Sequence, residues 1–235
     1  MYEVLQDDFR LFISKTHKFG TDAFLLADFA ISTASKKELV LDLCSGCGIV
    51  GFLIYKANIA SQVYIIDIQK EAAELAQQTI DFNNINSKVI SLCGDLRTEF
   101  EDYFNKFSLV TCNPPYKKVG TGLKCQNLAQ TIARHEVMCT IDDVCKVSSL
   151  VLKPGGRLCV CQRQDRLIDT ITAMQKNNIE PKRLRFVGHR VGLAPWLFLL
   201  EGKKGAKPYL KIEPGLFLER AGSPTAEIQR IYRKC

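Results

Sequence analysis

The sequence predicts an α/β fold: a mostly parallel, seven-stranded sheet with helices on both faces and an antiparallel hairpin near its C-terminal end. Two patterns predict it. From residue 39 to residue 176, apolar runs of strand length alternate with segments of helical period, the βαβ rhythm of a parallel sheet. After residue 180 the rhythm breaks, and two extended runs follow one another with only Arg190–Pro195 between them. The 235 residues, 46% hydrophobic and 24% charged, have ordinary globular composition and suit one domain with a full core.

In order, Leu39–Leu43 is the first predicted strand and Ile49–Ala57 the helix after it. Val63–Ile66 is the second strand. A helix over Lys70–Asn83 follows, with Ala72, Leu75, Ala76 and Ile80 on one face. Val89–Leu92 and Ser108–Cys112 are further strands, with a short helix near Thr98–Phe104 between them. Ile141–Leu152 reads as a helix stopped by Pro154-Gly155-Gly156. Leu158–Cys161 is a strand and Asp165–Lys176 a helix. Arg183–His189 and Trp196–Glu201 are the hairpin, in which the lone Trp196 reads as core, with stacking on a base as the alternative. Ser223 as N-cap, with Pro224 at the first helical position, opens a short final helix.

Several function classes fall away on composition. No apolar run approaches the ~20 residues that cross a bilayer, so no membrane role is expected. The acidic start Met1–Asp8 lacks the basic head of a secretory signal. Ten cysteines stand at 44, 47, 93, 112, 125, 139, 145, 159, 161 and 235, several inside apolar runs. That usage suits small buried hydrophobes in a reducing cytoplasm. Cys44 and Cys47 form a CxxC with no second pair at metal-ligand spacing, so no metal is expected. Charge is uneven: residues 1–150 carry 15 basic and 18 acidic residues, residues 151–235 carry 17 and 7. A basic C-terminal third suggests a polyanionic partner there, although charge alone does not separate RNA, DNA and acidic protein.

Two motifs carry chemistry. Val40–Gly51 holds Gly46, Gly48 and Gly51 at a strand-to-helix turn, where backbone can approach a nucleotide, and Asp67 closes the next strand, placed for ribose hydroxyls. This spacing reads literally as a dinucleotide loop. Asp42 points elsewhere, because a carboxylate there repels pyrophosphate but suits a ligand bearing sulfonium and ammonium groups, such as S-adenosylmethionine. Asp95 follows the third strand in the same way. The second motif is Asn113-Pro114-Pro115-Tyr116, directly after the fourth strand.

The first motif resembles the D/E-x-G-x-G-x-G loop of class I methyltransferases, with Cys44 in place of its first glycine. That replacement predicts a residue 44 outside the left-handed backbone region. Asn113–Tyr116 resembles the loop of enzymes that methylate planar nitrogens. An amino group conjugated to a ring is a poor nucleophile. The Asn113 side-chain oxygen and the Pro114 carbonyl can each hold one of its hydrogens, the prolines stiffen the loop, and Tyr116 can stack on the target.

His17–Asp28, Ile132–Glu136 and Glu201–Gly205 extend the resemblance, over about residues 5–220, to bacterial tRNA adenine-N6 methyltransferases. These act on the adenosine 3′ of the anticodon of a valine tRNA. The resemblance implies a Rossmann-like fold, S-adenosylmethionine as donor and tRNA, not DNA, as acceptor. It implies cofactor contacts from Gly20, Thr21, Asp22, Asp42, Cys44, Gly46, Gly48, Asp67, Ile68, Asp95, Leu96 and Asn113, with residues 1–38 closing the site. Residues 180–235 form its basic hairpin and extension. Arg134 and His135 would hold phosphate near a flipped base. Arg183, Arg185, Arg190, Lys203, Lys204 and Lys207 would grip the stem. Other readings stay open: a ribosomal RNA guanine-N2 or protein-glutamine methyltransferase, a nicotinamide-dependent oxidoreductase, or a non-catalytic RNA-binding module. A monomer or weak homodimer is compatible with all of them.

Overall fold

The computed structural model describes residues 1–35, 37–114 and 139–233. Its centre is a sheet of strands β3 (Glu38–Leu43), β4 (Ala60–Asp67), β5 (Val89–Cys93), β6 (Phe107–Cys112), β7 (Leu152–Arg163), β8 (Ile179–Gly188) and β9 (Leu197–Lys204). The order is β8-β9-β7-β6-β3-β4-β5. The five strands β3–β7 are parallel, and β9 inserts antiparallel between β7 and β8. The seven long strands and their hairpin stand as expected, within a sheet that two short strands extend to nine. Two-residue strands β10 (Lys211–Ile212) and β11 (Leu216–Phe217) add to the outer edge of β8.

Strand alternation sorts the core into two layers. Val40, Leu109, Cys159 and Leu199 face one layer, with helices α1 (Thr21–Ile31), α2 (Ile49–Lys56) and α3 (Lys70–Phe82). Leu41, Val110, Val160 and Leu200 face the other, with α4 (Ile141–Val151) and α5 (Leu167–Lys176). Helix α4 starts with a capping box, in which Thr140 Oγ1 accepts from the Asp143 amide and the Asp143 carboxylate accepts from the Thr140 amide. Helix α1 is apolar nearly all round, with Phe24, Leu25, Leu26 and Phe29 buried. Helix α6 (Ala226–Arg233) covers its outer side with Ile228 and Ile231. The N-terminal hairpin β1–β2 (Tyr2–Val4, Arg10–Phe12) lies against α3, where the Thr79 hydroxyl accepts the Phe12 amide.

Four local expectations are corrected. The helix near Thr98–Phe104 is a single 3-10 turn, Glu101–Tyr103, because Phe100, Tyr103 and Phe107 fold into one aromatic cluster. Pro154-Gly155-Gly156 lies inside β7, where it shifts the register against β6 between Phe107 and Leu109. Its left-handed Gly155 (φ +76°) supplies the irregularity. Ser223 and Pro224 pair as a short strand, β13, with β12 (Glu219–Arg220), and Thr225 caps the last helix by accepting the Ile228 amide. Trp196 is half-buried and stacks on the exposed His189 with centroids 5.1 Å apart.

The sheet reverses direction between β3 and β6. From β3 the chain proceeds outward through β4 and β5, then returns to β6 on the other side. Such a switch point opens a crevice at the carboxyl ends of the strands. Asp42 pairs in register with Thr111 and Leu43 with Cys112, so the residues that follow, Cys44 and Asn113, leave the sheet on adjacent strands.

A carboxylate-lined cavity at the switch point

A cavity of about 240 Å³ occupies this crevice. The N-terminal segment contributes Thr16–Gly20, Asp22 and Ala23, and the β3–α2 turn contributes Asp42 and Cys44–Cys47. Asp67 ends β4 and Ile68 and Gln69 follow it, Gly94–Leu96 follow β5, and Asn113 and Pro114 follow β6. Of the residues singled out in the sequence, Gly20, Asp22, Asp42, Cys44, Gly46, Asp67, Ile68, Asp95, Leu96, Asn113 and Pro114 line this one cavity. Thr21 and Gly48 stand outside the lining. The Thr21 hydroxyl faces outward and accepts from the Tyr232 hydroxyl at 2.8 Å. Gly48, left-handed at φ +86°, caps α2, and a Cβ there would meet Phe52 at 2.7 Å. Pro115, Tyr116, Arg134 and His135 lie outside the described residues.

Among the described residues, four carboxylates line the cavity against one lysine, Lys18. Asp42 is buried. Its Oδ1 accepts from Thr111 Oγ1 at 2.7 Å, and its Oδ2 accepts from the Gly51 amide at 3.1 Å. Gly51 is the third residue of α2, so Asp42 satisfies a donor at the helix N-terminus from inside the fold. A Cβ at Gly51 would lie 2.3 Å from Ile65 Cγ2, so the glycine there allows α2 to approach β4. Asp67 Oδ2 accepts from the Gly46 amide at 2.8 Å, and Oδ1 from the Gln69 amide at 2.9 Å. Burial pushes Asp42 up to about 7 and raises Asp67 as well. Asp95 is held below the usual range by Arg97, which bonds both its oxygens.

These bonds decide between ligands. A dinucleotide loop offers its amides and its helix N-terminus to pyrophosphate. Here Asp67 takes the Gly46 amide and Asp42 takes the Gly51 amide, and both carboxylates oppose a phosphate. The same donor set suits a ligand that brings positive charge and hydroxyl groups.

One expectation at the turn is overturned. Cys44 adopts φ +53°, inside the left-handed region that a non-glycine residue at this position predicts against. The chain must turn there directly after β3 to aim Ser45 at the Ile66 carbonyl, which accepts its amide at 3.0 Å. The strain of a Cβ in this region, about 1 kcal/mol, is carried by a loop pinned at Gly46.

The basic residues are placed differently from one another. Arg183 is buried. It donates to Glu201 Oε2 at 3.1 Å and to the Phe29 carbonyl at 2.6 Å, and lies over the Phe29 ring. This corrects its expected role as a phosphate grip, since withdrawing it leaves Glu201 short of a partner. Arg185 is committed to Glu227 through two bonds, and Arg190 to Glu219. Lys204 donates to Asn105 and to the Leu152 carbonyl. Lys203 and Lys207 are exposed. Sequence reading missed Thr111, although it is a polar residue in an apolar strand two positions before Asn113. It also missed Gln69 and Cys139, which nothing in the sequence marks.

The topology and the cavity at the switch point define a class I methyltransferase-like fold. Residues 10–177 match the family described as "Methyltransferase small domain", and the chain belongs to that family. A protein of Porphyromonas gingivalis named tRNA1(Val) (adenine(37)-N6)-methyltransferase is 29% identical over 158 residues, covering 65% of this chain and 61% of that protein. The chain thus spans less than two thirds of that relative's length. A protein of the same name from Parabacteroides distasonis is 24% identical over 78% of this chain and 76% of its own. Among solved structures, a predicted O-methyltransferase from Agrobacterium tumefaciens superposes with TM-score 0.69 at 20% identity, over 91% of this chain and 96% of that one. The tRNA m1G37 methyltransferase of M. jannaschii gives TM-score 0.61 at 20% identity, over 88% of this chain and 57% of that one. These two likenesses establish the fold.

Proposed function

We propose that the protein transfers a methyl group from S-adenosylmethionine to the N6 amino group of an adenosine in tRNA, the adenosine 3′ of the anticodon of a valine tRNA. The observation that carries this reading is the convergence of Asn113-Pro114 and the carboxylates Asp42, Asp67 and Asp95 on one cavity. The names of the relatives support the acceptor. S-adenosylmethionine supplies, when bound, an electrophilic methyl group on a sulfonium centre. Asp42 would face its positively charged end, Asp67 and Ile68 would hold its ribose, and Asp95 and Leu96 its adenine.

The chain's own work is alignment. Asn113 Oδ1 and the Pro114 carbonyl each accept one N–H of the adenine amino group. Held so, the nitrogen lone pair leaves conjugation with the ring and points at the methyl carbon. As the N–C bond forms, the S–C pair stays on sulfur and the amine releases one proton to water. No general base is needed, because the amine becomes acidic only as the new bond forms. An anticodon-loop base is already single-stranded, which lowers the cost of extracting it. Exposed Lys203 and Lys207 are the candidate stem contacts, and the protein acts in the cytoplasm.

The test incubates the protein and Asn113→Ala with S-adenosylmethionine and unmodified tRNA transcripts, followed by nucleoside mass spectrometry. N6-methyladenosine formed by the parent and reduced about 100-fold or more in the variant supports the reading. No methyladenosine on any transcript sinks the tRNA acceptor.

A further inference from the structure

The geometry points to Asp22 as the residue that sets the orientation of the catalytic amide of Asn113. This rests on the methyl-transfer reading above. Asn113 Nδ2 donates to Asp22 Oδ2 at 3.0 Å. The two residues are 91 positions apart, on α1 and after β6, and both line the cavity.

An asparagine amide has two ends of almost equal shape and opposite hydrogen-bonding sense. Only one orientation serves the reaction, the one that turns Oδ1 toward an amino group that must donate. A carboxylate accepts and cannot donate, so it selects Nδ2 and repels Oδ1. With Nδ2 facing Asp22, Oδ1 is the end directed away from that carboxylate. Asp22 is thus a positioning residue: it acts on the substrate through Asn113.

The surroundings of Asp22 fit that task. A Cβ on Gly20 would lie 2.7 Å from Asp22 Oδ1, although Gly20 itself has an extended backbone that any residue adopts (φ −119°). The glycine is needed for the space the carboxylate occupies. On the other side, Thr21 is tied to Tyr232, so the first turn of α1 is held from outside. The resemblance to methyltransferases implies that Gly20, Thr21 and Asp22 contact the cofactor. The hydrogen bond assigns Asp22 to the acceptor side of the same cavity as well.

The test is an exchange of the pair. Asp22→Asn can donate or accept, so it no longer selects an orientation of Asn113. Asn113→Asp against Asp22 opposes two carboxylates. The double variant restores one amide donating to one carboxylate and still presents an acceptor to the amine. We expect each single variant to lose at least tenfold in kcat on tRNA, and the double variant to regain at least tenfold over the worse single. At saturating S-adenosylmethionine the Asp22→Asn loss in kcat should persist, whatever the substitution does to cofactor affinity measured by calorimetry. Losses that multiply in the double variant, or an Asp22→Asn defect confined to cofactor affinity, overturn the proposal.

A second readout does not depend on the acceptor. The Asn113 side-chain amide protons, assigned by their absence in Asn113→Asp, should exchange slowly in the parent and faster in Asp22→Asn. Equal exchange in the two overturns the positioning role. A parent that methylates no tRNA overturns the functional reading instead, and the exchange rates still decide this one.

Discussion

The Tyr232 phenol and the Thr21 hydroxyl hydrogen-bond at 2.8 Å across 211 positions of sequence. The Tyr232 ring also packs on Phe24 with centroids 4.9 Å apart, and Arg230 pairs with Asp28 at 3.2 Å. Helix α6 therefore grips α1 by three contacts, the first at the turn that carries Asp22. Tyr232→Phe keeps the ring contact and removes the hydroxyl, and should cost about 0.5–1 kcal/mol in urea unfolding. Tyr232→Ala should cost more, since it also gives up the packing on Phe24. Equal losses in the two variants would mean that the ring contributes nothing.

Asp42 makes stability and ligand affinity respond oppositely to pH. Burial holds its carboxyl at about 7, above the ordinary 3.8. The unfolded chain sheds that proton near pH 4 while the folded protein keeps it to about pH 7. The stability this group contributes is full below pH 4 and is lost as pH rises through 7. Asp42→Asn can keep an acceptor for the Gly51 amide and a donor for Thr111. It should be more stable than the parent above pH 7, by about 1 kcal/mol or more, with the gap closing toward pH 4. The parent's affinity for S-adenosylmethionine should rise from pH 6 to pH 8, and the variant should lose most of that affinity. Denaturant titrations and calorimetry at each pH check both halves.

Glu201 closes the seam between the parallel strands and the hairpin. Its Oε2 accepts from Thr33, Arg157 and Arg183 at 2.8, 3.2 and 3.1 Å, and Arg157 also pairs with Glu38 at 2.9 Å. Glu201, Glu38, Arg157 and Arg183 are all largely withdrawn from solvent. Glu201→Gln removes the carboxylate that Arg157 and Arg183 share, leaving Glu38 to the first and Glu213 to the second, and should cost about 1–3 kcal/mol through the weakened buried hydrogen bonds. That corresponds to a fall in Tm of about 5 °C. Calorimetric melting measures it, and an unchanged Tm would show the cluster to be energetically idle.

At Gly51 the expected effect is steric. Gly51→Ala sets a Cβ against Ile65 and Val63 and should cost about 1–3 kcal/mol. Because the same residue's amide meets Asp42, the helix shift that relieves the clash should also weaken cofactor binding. A variant that is destabilised yet binds cofactor as the parent does would separate the two roles of this glycine.

The parts legible in the sequence are those fixed by local pattern. Apolar period placed β3 to β7 and their helices, and strand-ending carboxylates placed Asp42, Asp67 and Asp95 on one edge. What stayed hidden depends on partners far away in the chain. Arg183 looks like a surface cation until Glu201 and the Phe29 carbonyl are seen to enclose it. Ser223-Pro224 has the composition of a helix start, yet pairing with Glu219–Arg220 claims it for a strand. Cys44 lacks the residue type that favours a left-handed turn, and the geometry of the turn overrides that preference. The link between Asp22 and Asn113 crosses 91 residues and leaves no periodic trace.

The grip of α6 on α1 also imposes an order of manufacture. A ribosome delivers Asp42, Asp67, Asp95 and Asn113 well before it delivers Ile228, Ile231 and Tyr232. During that interval the apolar outer side of α1 has no cover, and the turn bearing Asp22 has no brace. The nascent chain thus holds both members of the Asp22–Asn113 pair before it holds what aligns them, which sets a delay between synthesis and competence.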